Sequence, residues 1–517
     1  MNPLQVASIA AGAYPWIPDQ GDGTYRNPII LADYSDADVE RCGDDFYMTA
    51  SSFNCTPGLP ILHSRDLVNW TIINHALKNV PHSRYREVQH GCGVWAPAIR
   101  FHDGKFWIFF PTPDEGIYVT TAGDPAGEWS EPHLVVEGKG LIDPCPLWDD
   151  DGQAYLVYAY AGSRAGIKNR LRVSPLAPDG SRLLGEGHIV YHQPERHPTL
   201  EGPKFLKKDG WYYILAPAGG VKSGWQVVFR SREIYGPYED KIVLAQGSTP
   251  LNGPHQGALV DLPGGEWWFI HFQELQPYGR ILHLQPVEWQ DGWPLMGINR
   301  NDQGVGEPVL HFRKPSVGLE YPIAIPDTSD EFDSQTLGLQ WQWHANHEDD
   351  WCSLSARAGH LRLYARHVAG SNLHLTPHLL LQKFPARAFT VETAMEFAPG
   401  QSAEQAGLVV MGHAWATLAL RRGEAGNQIV FQIDGHEKFI ADCPCDAVRL
   451  RVKVRDGGLC TFSCATLDDS FVAMSEQFQA REGHWIGAKV GIYSLVPNAP
   501  GPSGHTDFSY FRFSAPG

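Results

Sequence analysis

The chain has 517 residues, with 58 acidic and 41 basic side chains and a formal charge of −17. That acidic excess argues against a nucleic-acid partner, because phosphate backbones are held by clustered cations. Hydrophobic residues make up 43% and charged residues 19%, too apolar for a disordered chain, and no run of about 18 apolar residues is present to cross a membrane.

The first twenty residues lack the basic start and sustained apolar core of a secretory signal. The nine cysteines are odd in number and scattered, and Cys443 and Cys445 form only a CxC, with no zinc-spaced CxxC. Free thiols in a reducing compartment, and hence a cytoplasmic location, are the expectation. With 53 Gly, 39 Pro and 17 Trp, the composition favours many short strands over helices. Flat Trp rings also suit the C–H faces of sugars, although packed β-cores use Trp equally well.

Residues 1–22 read as an N-terminal extension. Within 23–314 a turn-and-aromatic pattern occurs five times: GDDFY ending at Tyr47, DGKFW at Trp107, DGQAY at Tyr155, DGWYY at Tyr213 and GGEWW at Trp268. Each reads as a hairpin turn entering an apolar strand. Five units of 48 to 60 residues without helical periodicity predict a five-bladed β-propeller, with a sandwich of unrelated hairpins as the alternative. A Pro-rich stretch, 315–328, reads as a linker. From 329 to 517 the texture changes to about ten alternating strands, the pattern of a concanavalin-like β-sandwich.

In a propeller the first strand of every blade lines the axis. Counting back twelve residues from the marker aromatics gives Trp95, Asp143, Glu201 and Gln256, with His255 adjacent; counting back eleven from Tyr47 gives Asp36. Carboxylates normally sit on solvated surfaces, so three at equivalent inner positions predict one shared site, with local turn-capping as the plainer reading. A glycosidic bond is cleaved by two carboxyl groups, one protonated and one ionised, and a third nearby raises the proton affinity of the acid.

These motifs resemble glycoside hydrolase family 43, closest to its β-xylosidase and α-L-arabinofuranosidase members with a C-terminal β-sandwich. The resemblance implies that Asp36 in YSDADV is the general base, Asp143 in LIDP the modulator and orienter of the acid, and Glu201 in LEGPKF the general acid. It implies inversion, which places base and acid about 6.5–9.5 Å apart to admit a water. Ala37 stands where the family usually has Pro, and Glu40 and Cys42 where apolar residues are usual. Asp33 and Asp38 flank Asp36; Asp36 is assigned because motif and offset agree.

Arg280 in YGRILHL resembles an arginine that hydrogen-bonds the sugar in the deepest subsite. Trp95 and Phe53 are candidate sugar-stacking walls, and His255 and Gln256 candidate sugar-binding residues. The resemblance also implies calcium near the propeller centre, held mostly by water, with His255 as a weak ligand; no organic cofactor is expected. The sandwich is expected to pack on the propeller and narrow the site's entrance. The expected substrate is a xylo-oligosaccharide or an arabinose-substituted oligosaccharide, cleaved by an exo-acting enzyme. A non-catalytic sugar-binding propeller is the alternative from another class. The sequence is compatible with a homo-oligomer without defining one.

Overall fold

The computed structural model describes residues 14–368, 372–467, 469–497 and 502–516. Five four-stranded antiparallel sheets follow one another along residues 38–296, each with its strands paired in chain order. Blade 1 begins with Asp38–Cys42 and Asp45–Thr49, blade 2 with Ala98–His102 and Lys105–Thr112, and blade 3 with Leu141–Trp148 and Ala154–Tyr160. Blade 4 begins with Lys204–Lys208 and Trp211–Ala218, and blade 5 with His255–Asp261 and Trp267–Leu275. The fold is the predicted five-bladed propeller. All five marker aromatics lie on second strands, one tight turn after the strands that pack against each other around the axis.

Closure of the ring joins the start of the chain to the last blade. Thr24–Arg26 pairs with His311–Arg313, and Ile29 and Ile30 exchange backbone hydrogen bonds with Leu282 in the third strand of blade 5, Gly279–Gln290. The Asn27 side chain both donates to Leu284 O and accepts from Leu284 N. Tyr25, Phe46, Trp268 and Leu282 then bury one apolar cluster across the junction. These pairings, with a hydrophobic cluster behind them, hold the two ends of the propeller together.

Below the site, Asp38 is fully buried and ties the blades together. Its Oδ2 accepts from Ile99 N at 2.9 Å and from Arg100 Nη1 at 2.7 Å on blade 2, and Lys204 Nζ of blade 4 lies 3.7 Å away. Arg100 also reaches Cys145 Sγ of blade 3. Asp38 is therefore occupied as a structural anion. Glu40, unusual at an apolar position, accepts Phe101 N and so also links blades 1 and 2.

The C-terminal part comprises two eight-stranded sheets sharing one core that includes Val391, Leu408, Leu418, Leu450 and Phe508. This is the predicted sandwich, but with sixteen strands among the described residues instead of about ten. Several of the extra strands are only two or three residues long. Another, His436–Cys443, is an edge strand exposed along nearly its whole length, so it carries no inside–outside alternation to read. Residues 315–328 form no strand; Ala324 N donates to Asn69 Oδ1 beside blade 1.

The sandwich is bonded to the propeller through main chain as well as side chains. Thr56 and Trp343 form a β-bridge, Asn54 Nδ2 donates to His344 O, and Asn346 bonds both N and O of Val80. Replacing Asp38 by Ala leaves the buried Lys204 and the partly buried Arg100 without their carboxylate. The expected cost is about 3–5 kcal/mol, measured as a lower urea midpoint with unchanged slope.

Candidate active site

One cavity of about 300 Å³ opens at the end of the axis where the innermost strands begin, and it brings the predicted carboxylates Asp36, Asp143 and Glu201 together. Phe53, Trp95, Gln256 and Arg280 also line it, whereas His255 stands behind Glu201. The side chains converge because the chain kinks as it enters these strands. Asp36 and Asp143 both have φ of 57°, and Gln256 has φ of 35°. Left-handed backbone is unusual for residues with a Cβ, although Asp tolerates it better than most. At Gly202, φ is 61° and a Cβ would fall 2.8 Å from the Gln256 side chain, so the glycine after Glu201 is required on both counts.

The three carboxylates are held differently. Asp36 is 5% exposed; its Oδ2 accepts from Ser35 Oγ at 2.6 Å and Ser51 Oγ at 2.7 Å. Arg280 Nη1 donates to both of its oxygens, at 3.0 and 3.2 Å, and to Ser35 Oγ. Asp143 is equally buried but, among the described residues, receives only Gly202 N, at 2.7 Å. Burial first, and the neighbouring Glu201 charge second, push its carboxyl up to about 8. The Glu201 side chain is one-third exposed, and its Oε1 lies 3.2 Å from His255 Nε2. Asp143 thus keeps its proton into the neutral range beside Glu201, whereas Asp36 has a guanidinium beside it.

The apolar walls are positioned by one small element. Phe53 and Val94 form a β-bridge between loops of blades 1 and 2, with Trp95 the next residue. Gly93, with φ of 87°, allows the approach, since a Cβ there would lie 2.1 Å from Phe53 O. Trp95 Nε1 donates to Gly91 O, and the Arg164 guanidinium stands 5.0 Å over its ring. Trp95 therefore presents an immobilised face, as a sugar platform requires.

Residues 25–294 match the family model described as Glycosyl hydrolases family 43, and residues 329–514 match that of the Beta xylosidase C-terminal Concanavalin A-like domain. The chain belongs to glycosyl hydrolase family 43. It is 32% identical to a beta-xylosidase of Formosa agariphila, over 99% of this chain and 93% of that relative. It is 33% identical to a non-reducing end alpha-L-arabinofuranosidase of Bacteroides ovatus, over 75% of this chain and 73% of that relative. A solved family 43 structure from Bacillus licheniformis superposes with a TM-score of 0.81 at 26% identity, over 95% of this chain and all of that one. This family 43 chain is accordingly a glycoside hydrolase.

The expected calcium is one held mostly by water, with His255 as a weak ligand. His255 Nε2 is engaged with Glu201, and its Nδ1 is buried with no partner among the described residues. This residue therefore offers one ring nitrogen, and water would supply the oxygens that calcium prefers. No cluster of three His, Cys, Asp or Glu with metal-holding geometry occurs among the described residues.

Sequence reasoning missed Trp485. It belongs to the sandwich, is 44% exposed and lines the cavity across from the propeller residues. The Arg280 guanidinium lies 5.6 Å from its ring. The sandwich therefore does reach the site and forms part of its wall. Trp485 sits in the irregular segment REGHWIGAK, which has neither strand alternation nor a repeat offset to mark it. Ser35 and Ser51, which bond Asp36, were also missed.

Proposed function

We propose that this enzyme is an inverting exo-glycosidase that releases xylose from the non-reducing end of β-1,4-xylo-oligosaccharides. The observation that carries the reading is the asymmetry among three carboxylates in one cavity: Asp36 paired with a cation, Asp143 buried and keeping its proton into the neutral range, and Glu201 partly open to solvent. Glu201 protonates the glycosidic oxygen. Asp36, oriented by Arg280, Ser35 and Ser51, takes a proton from the water that attacks the anomeric carbon from the opposite face. Asp143 accepts Gly202 N, the main chain next to Glu201, and so anchors the acid in position. Trp95 and Phe53 supply apolar faces for the sugar rings, Gln256 a polar contact and Arg280 paired donors for hydroxyls. The cavity's closure by Trp485 supports action at chain ends.

Removal of α-L-arabinofuranose is the second reading, favoured by the similarity to the Bacteroides ovatus enzyme. Both sugars present similar hydroxyl patterns, so one pocket can serve both. A purely sugar-binding propeller would require loss of one of the three acids, and all three are present in the cavity.

Purified protein given xylobiose and an aryl α-L-arabinofuranoside should release xylose preferentially, with α-xylose appearing first by proton NMR. Release of β-xylose first would exclude inversion, and arabinose as the preferred product would favour the second reading. Glu201→Gln and Asp36→Asn should each lower kcat by about 10²–10⁴ with the melting temperature little changed.

Asp143→Asn should remove from the kcat/KM profile the alkaline limb given by the Asp143 carboxyl, which is pushed up to about 8. An unmoved limb would detach Asp143 from that titration.

A further inference from the structure

Asp33, three residues before Asp36, is absent from the cavity lining and is 4% exposed. Its two carboxylate oxygens face two different domains. Oδ1 accepts Arg280 N at 2.8 Å on blade 5, and Oδ2 accepts Gly487 N at 3.1 Å on the sandwich. The approach needs two residues without side chains. A Cβ on Gly279, where φ is 86°, would fall 2.5 Å from Asp33 Oδ1 and 2.6 Å from Gly487 N. A Cβ on Gly487 would fall 2.3 Å from Tyr278 O. Three backbone segments therefore meet around one buried anion.

Each partner leads directly into the site. The Arg280 main chain is fixed by Asp33, while its guanidinium holds Asp36 and Ser35. Gly487 follows Trp485 by two residues, and Trp485 is itself constrained at φ of 66°.

We propose that Asp33 is a positioning residue: its carboxylate clasps the sandwich loop 482–487 to the Arg280 strand, setting the Trp485 wall and the Arg280–Asp36 pair relative to one another. The proposal rests on the hydrolase reading for its kinetic consequence but not for the clasp itself. Asp33→Asn keeps the shape and one acceptor, but turns an NH₂ group toward one of the two N–H donors.

Hydrogen exchange by mass spectrometry on the full chain tests the clasp without catalysis. In Asp33→Asn, at least one of the peptides containing Arg280 and Gly487 should exchange about tenfold faster, as expected for a lost hydrogen bond, while blades 2 and 3 are unchanged. Unaltered exchange at both would overturn the proposal. If Asp33→Asn fails to fold, Gly487→Ala serves, because its Cβ displaces the loop from Tyr278 O. It must then loosen the Arg280 peptide as well, and an unaltered Arg280 peptide would overturn the proposal.

The kinetic arm uses xylobiose. Trp485→Ala and Asp33→Asn should each raise KM by about tenfold, and the double variant should raise it no further than Trp485→Ala alone, while Asp33→Asn still lowers kcat in that background. Additive KM effects, or a wild-type KM in Trp485→Ala, would sink the idea that Asp33 acts through the tryptophan. Hydrolysis of neither xylobiose nor the arabinofuranoside by the parent enzyme would refute the function reading, with the exchange result still deciding the clasp.

Discussion

Three carboxylates cannot all remain ionised at one end of a narrow axis without compensation, and the structure supplies that compensation unequally. Asp36 receives a guanidinium and two hydroxyls, Asp143 a single main-chain N–H, and Glu201 an imidazole together with partial access to solvent. The other inner cations are engaged lower on the axis, where Arg100 and Lys204 surround Asp38. A proton is therefore retained at Asp143 into the neutral range. The division of acid from base follows from which carboxylate the fold gives a cation, since the side chains themselves are chemically alike.

Much of this was legible because a propeller converts sequence distance into position. The turn between first and second strands has nearly constant length, so counting back from Tyr155 and Tyr213 leads to Asp143 and Glu201 whatever the intervening loops do. The same arithmetic identified Asp36 although Pro is replaced by Ala37. It did not show that Asp38, two residues on, is an occupied structural ion, because its partners Arg100 and Lys204 lie on other blades. Trp485 was illegible for a related reason: its role comes from docking between domains, and an irregular Gly-flanked loop has no period from which to count. Strand His436–Cys443 escaped detection because both its faces meet solvent, which removes the alternation that marks a half-buried strand.

His255 shows a different limit. Its position at the axis was predictable, but its partner was not. Residue type alone left metal ligand and hydrogen-bonding partner equally open, and the structure places its Nε2 3.2 Å from Glu201 Oε1.

The two halves of the site differ in how they are assembled. Asp143 and Glu201 sit on consecutive blades, and Gly202 N bridges them, so their coupling needs only local pairing of neighbouring sheets. Asp36 and Arg280 are separated by 244 residues and meet only because the chain start is zipped onto blade 5 as the ring closes. Loop closure on that scale is entropically costly and comes with the late, non-local contacts of a fold. Asp33 lies on the same zipped segment and also binds the sandwich. The base half of the site therefore depends on ring closure and sandwich docking together, whereas the proton-holding half does not. The carboxylate proposed to activate water therefore sits where ring closure and sandwich docking meet.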